Sequence, residues 1–100
     1  MSLVLTSINA ATSPDTGSAI IFDKPRRLSW QFFSTGSPSS YEVQIYGSQD
    51  GVNFNQLVDY SAPPDTMGST DTLVVEAFAK LVALTGGVSP TVTVNLAGED

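Results

Sequence analysis

The sequence predicts an all-β chain: a single β-sandwich domain over residues 1–100, with seven or eight short antiparallel strands in a jelly-roll-like arrangement. Three observations predict it. Apolar and polar residues alternate with a period of two over several stretches, as half-buried strands require. Clusters of Gly, Pro, Asp and Ser separate those stretches at short intervals. And 100 residues with 41% hydrophobic and only 14% charged side chains carry enough apolar surface for one packed core.

Taken in order, "LVLTSIN" opens the chain, and "SAIIFD" at 18–23 is an apolar run bounded by "SPDTG" and by Pro25. Proline cannot donate to a ladder, so Pro25 marks a turn or an edge. "RLSWQFFSTG" alternates Leu28, Trp30 and Phe32 with Ser29, Gln31 and Phe33, which places Trp30 in the core. After the turn "SPSS", the stretch "SYEVQIYGS" sets Tyr41, Val43 and Ile45 against Glu42, Gln44 and Tyr46; this is the clearest strand. Asp50-Gly51 then suits a tight hairpin, because that pair readily takes positive φ. "NFNQLVDYS" reads as the returning strand, with Phe54 folding back over the hairpin.

"SAPPDTMGSTD", residues 61–71, reads as a long loop, either partner-facing or a plain crossover between sheets. The segment "TLVVEAFAKLVALTGG", 72–87, has two readings. Val74, Phe78, Leu81, Val82 and Thr85 fit one face of a helix that Gly86 would end. "TLVV" and "KLVALT" equally read as two short strands joined at "EAFA", and the uniformly β signals elsewhere favour strands. The chain closes on "TVTVNLAG", where Val92, Val94 and Leu96 alternate with Thr91, Thr93 and Asn95.

Composition narrows the function. With no His and no Cys, the commonest general base, the thiol nucleophile and the usual transition-metal ligands are absent together. Asp15, Asp23, Asp50, Asp59, Asp65 and Asp71 are acid/base candidates by type, but each sits in or beside a turn, where Asp caps backbone amides, and no spacing selects a pair. "GSQDGVN" supplies too few oxygen ligands for a calcium loop, and Gly86-Gly87 lacks the Lys that follows in a phosphate loop. The expectation is a non-enzyme with no cofactor, no metal and no catalytic residue. A net charge of -6 opposes binding to nucleic acid or anionic membrane. The N-terminal stretch has neither the basic region of a signal peptide nor a membrane-length apolar run, so a soluble product of a complete small reading frame is expected.

Two groups of residues stand out as contact candidates. Lys24, Arg26 and Arg27 place three of the four cations in "DKPRR", either a solvated strand entry beside Asp23 or a docking patch for an acidic neighbour. Phe33 and Tyr46 fall on the outward strand phase and, with Tyr60, offer aromatic surface for a protein interface or for stacking a sugar ring.

The run "STGSPSSYEVQIYGSQDGVNFNQL", followed by "KLVALTGGVSPTVTVNLAGE", resembles a family of small bacteriophage β-sandwich virion proteins over about two-thirds of the chain, Ser34 to Glu99. Gly36, Ser37 and Pro38 match the first turn of that family, Gly47, Ser48, Asp50 and Gly51 the second, and Gly86, Gly87, Ser89 and Pro90 the last. Phe54 stands where relatives commonly show Trp, and Lys80 where they often show Arg. The matched positions are turn residues, so they speak for fold first. The resemblance implies a virion component made in the host cytoplasm: a capsid decoration or minor structural protein, a homo-oligomer present in several copies, bound to the major capsid protein or another virion protein. The Asp-Gly hairpin also resembles discoidin-like and galactose-binding sandwiches, which implies a carbohydrate- or receptor-binding module of a tail, neck or fibre as the alternative.

Overall fold

The structure, a computed structural model, describes residues 3–61 and 65–99. Its strands are β1 (Leu3–Ala11), β2 (Asp15–Thr16), β3 (Ile20–Thr35), β4 (Ser40–Ser48), β5 (Asn55–Ser61), β6 (Thr66–Thr85) and β7 (Thr91–Glu99). All pair antiparallel in one sheet of order β1-β7-β3-β6-β4-β5, with the short β2 against β6. The all-β class and the count of seven strands are as the sequence predicts.

Two strands are much longer than expected. β3 runs 16 residues and β6 runs 20. At about 3.3 Å per residue a straight β6 would span roughly 66 Å, yet the molecule measures 40 × 25 × 18 Å. β6 therefore bends. Its first part pairs with Ser29–Phe32 of β3, and its second part, from Glu76 to Thr85, pairs with β4. The bend shows in the side chains: Val74 is buried, then the buried phase slips to Ala77, Ala79 and Leu81, as a strand must do when it passes from one layer of a sandwich to the other. β3 answers with a bulge, since five steps from Ile21 to Arg26 oppose two steps from Glu76 to Val74. Pro25 lies inside this bulge, where the ladder is already interrupted.

The sheet thus folds over itself into two layers. The first holds β1, β7, the second half of β3 and the start of β6; the second holds β5, β4, the rest of β6, and the start of β3 and β2 paired with it. Between them lies the core predicted from alternation: Leu28, Trp30 and Phe32, then Tyr41, Val43 and Ile45, then Val92, Val94 and Leu96, each at most 5% exposed. Across the layers the Phe32 ring meets Tyr60 at 5.0 Å and, edge on, Tyr41 at 6.2 Å between centroids.

Three expectations are corrected. Residues 72–85 form one continuous strand rather than two, because the phase slip at Val75 and Glu76 imitates a break. The expected loop 61–71 is strand from Thr66 onward, held by pairing to β3, while its residues 62–64 lie outside the described residues. And Asp50-Gly51 is part of a six-residue connection, 49–54, rather than a tight hairpin.

Candidate functional site

The connection 49–54 is organised by one carboxylate. Asp50 Oδ1 accepts hydrogen bonds from the Val52 and Asn53 backbone amides, both at 2.8 Å, and from Ser48 Oγ at 2.9 Å, while Oδ2 accepts from Asn53 Nδ2 at 2.9 Å. Ser48 Oγ in turn accepts from the Gly51 amide at 2.9 Å. Gly51 takes φ +77°, the left-handed turn position that the Asp-Gly pair supplies. Those donors, the two backbone amides foremost, hold the Asp50 carboxyl well below the usual carboxylate range. It stays ionised at neutral pH and has no proton to give as a general acid.

Beside this connection opens a groove of about 340 Å³ between β5 and β6. Gly47, Leu57 and Val74 supply apolar wall; Gln49, Asp50, Asn53, Asn55 and Thr72 supply amides, a hydroxyl and the carboxylate. The groove suits a small uncharged ligand with hydroxyl or amide groups. No cation lines it, and Asp50 repels anions. The turn residues of this site are legible in the sequence, but not Leu57, Val74 or Thr72, which long-range pairing carries to it.

The other carboxylates are dispersed. Glu42 is raised above its usual value, first by its hydrogen bond with Asp59 and then by desolvation and the Asp59 charge. The two sit diagonally on β4 and β5, since Glu42 faces Ser61 and Asp59 faces Gln44. Asp65 accepts from the Ser34 amide at 3.0 Å, from Ser34 Oγ at 3.1 Å and from the Tyr41 hydroxyl at 3.1 Å. Burial, aided by Asp65, pushes the Tyr41 phenol up to about 12. Among the described residues no three His, Cys, Asp or Glu side chains gather as metal ligands, and no helix is long and apolar enough to cross a membrane.

The six contact candidates do not converge. Arg26 is buried and pairs with Asp23, Nη2 to Oδ1 at 2.9 Å and Nε to Oδ1 at 3.0 Å. Lys24 and Arg27 are exposed, but Arg27 lies opposite Glu99 on β7 and shares a surface hollow with Glu99 and Asp71. The chain therefore brings its own acids to its basic segment. Phe33 points outward from the first layer at 36% exposure. Tyr46 faces outward from the second, its ring stacked on Phe78 at 5.0 Å and 6°, with Phe54 packed on Phe78 at 5.4 Å. Tyr60 packs on Phe32, and its hydroxyl accepts from Trp30 Nε1 at 3.2 Å, so it is part of the core margin rather than a flat platform.

No protein-family model matches the sequence, and no curated protein does. Among solved structures the chain is similar to the crystal structure of the SPBc2 prophage-derived protein YomS, with a TM-score of 0.74 and 19% identity over 98% of this chain and 92% of that one. At that identity the likeness establishes a shared fold.

Proposed function

We propose that the chain is a non-enzymatic structural protein of a bacteriophage particle, a decoration or minor capsid protein bound to the outside of the virion. One observation carries this reading: the fold is shared, across nearly the whole of both chains, with a prophage-derived protein. The turn pattern of the sequence points the same way. The carboxylates support a non-catalytic role, since Asp50 is committed to its own loop and Asp65 to Ser34 and Tyr41. The partner is the major capsid protein or another virion protein, with several copies of this chain on each particle.

Quantitative mass spectrometry of purified particles of the encoding phage tests it. A copy number on the order of hundreds marks a capsid-covering protein, whereas about a dozen or fewer moves it to the neck, tail or fibre, by the symmetry of those parts. Absence from the particle overturns the reading. To probe "DKPRR", Lys24→Glu with Arg27→Glu is the suitable pair, because Arg26 is buried in an ion pair and its replacement would unsettle the bulge.

The groove beside Asp50 supports a second reading, a carbohydrate- or receptor-binding module, through its neutral amide and hydroxyl rim. A glycan array checks it; silence at high protein concentration removes its support.

A further inference from the structure

Strand alternation leaves one face of the first layer pointing away from the core, and the register lays it out in rows. Thr6, Asn95, Gln31 and Met67 form one row across four strands. Ala97, Ser29 and Ser69 form the next; Phe33 with Thr93, and Thr35 with Thr91, extend it the other way. None of these residues is charged, in a chain with 14 formal charges among 100 residues. Arg27 and Glu99, opposite each other, close the face at one end, with Asp71 in the same hollow. The second layer differs, with Glu42, Asp59, Glu76 and Lys80 all at least partly exposed.

From this we infer that the outer face of the first layer is a self-association surface, where two copies of this chain pack face to face about a two-fold axis. Interface centres are depleted of Asp, Glu and Lys and enriched in Met and aromatics, and here Met67 is 75% and Phe33 36% exposed. A two-fold contact must also be self-complementary, with knob and hollow on the same patch. A hollow of about 190 Å³ lies in the middle of the face, walled by Ser29, Gln31, Asn95, Ala97 and Met67. Met67 stands at its rim, so Met67 of each copy enters the hollow of the other.

The threonine hydroxyls of the face are already engaged within the sheet. Thr6 Oγ1 donates to Asn95 Oδ1 at 2.8 Å, the Ala10 amide donates to Thr93 Oγ1 at 3.1 Å, and the Thr35 and Thr91 hydroxyls bond each other. Covering these hydroxyls strands few donors or acceptors, while Gln31, Ser29 and Ser69 remain to bond across the contact. Knob and hollow on one patch select a second copy as the occupant. Each copy carries -6, so copies repel on approach, and the uncharged middle of this face lets them meet with Arg27, Glu99 and Asp71 kept to one end. Four strands at about 4.8 Å spacing and about 20 Å of length give roughly 400 Å² of flat face per copy, below the about 800 Å² of a standard partner surface. The dimer is accordingly weak.

This inference stands apart from the virion reading and is tested on the isolated chain. Sedimentation equilibrium up to about 1 mM protein, at low and high salt, should give a monomer–dimer equilibrium that tightens as salt screens the repulsion. Met67→Glu should weaken dimerisation at least about tenfold with an unchanged circular dichroism spectrum. Gln31→Glu at the same rim should do likewise, and guards against a Met67→Glu variant that fails to fold. Gln56→Glu, exposed on β5, should leave the equilibrium unchanged. A monomer at every concentration overturns the inference, as does a dimer that ignores both rim variants. A dimer that salt weakens also overturns it, since that behaviour belongs to docking through opposite charges.

Discussion

Residues 36–39 and 86–90 close one end of β4 and β6 backbone against backbone, whereas the 49–54 connection at the other end of β4 hangs on a single side chain. At the first end the Val88 amide donates to the Gly36 carbonyl at 2.9 Å and the Ser39 amide to Thr85 at 2.8 Å. A Cβ on Gly87 would sit 2.4 Å from the Gly36 carbonyl oxygen, and one on Gly36 would sit 2.5 Å from that of Val88. At the second end a Cβ on Gly51 would meet nothing nearer than the Glu76 Oε1 at 3.6 Å. Yet φ is nearly the same: +76° at Gly36 and Gly87, +77° at Gly51. Glycine is thus required twice over at the interlocked end, by dihedral and by space, and by dihedral alone at the open end beside the groove.

Substitutions at the two ends separate these causes. Gly87→Ala should show the largest effect, a loss of about 2–4 kcal/mol in urea unfolding, since left-handed strain adds to a clash with backbone that cannot turn aside. A loss below about 1 kcal/mol would mean the interlocked loops yield. Alkali should act next, on the same end. The Tyr41 phenol is pushed up to about 12, so its contribution is whole below the ordinary tyrosine value of about 10 and is lost as pH rises through about 12. The unfolding midpoint of the wild type should fall over that window more than that of Tyr41→Phe.

At the open end, Gly51→Ala should cost about 1 kcal/mol, the strain without the clash; a cost equal to that of Gly87→Ala would break the comparison. Asp50→Ala should act locally: hydrogen exchange of the Val52 and Asn53 amides speeds up while the Val88 amide keeps its protection. Acid gives the smallest effect. Because the folded Asp50 carboxyl lies below its ordinary value, its stabilisation is present above about pH 4 and is lost as pH falls further. Asp50→Asn should flatten that part of the profile of midpoint against pH.

Much of the fold was legible because alternation is local. The buried triplets in β3, β4 and β7 follow from period-two patterning, and each lies inward as read. β6 was harder, for its phase slip between Val74 and Ala77 has the look of a boundary or of a helical face, and only pairing with β3 on one side and β4 on the other makes it one strand. The candidate site was half legible. Ser48, Asp50 and Gly51 announce a turn, but the groove wall of Leu57, Thr72 and Val74 comes from other strands. Likewise "DKPRR" reads as basic, while Glu99 and Asp71 arrive beside Arg27 from strands 72 and 44 positions further along.

The sequence by itself determined the class of the chain, the inward face of its regular strands and the places where it turns, because side-chain periodicity and backbone dihedral preferences act over a few residues. Only the tertiary structure decided that β3 and β6 run through both layers, that the middle of one outer face is free of charge and that the Asp50 turn rims a groove. Those depend on which distant strands pair and in what register, and a shift of a single residue would turn every side chain of a strand to the other face.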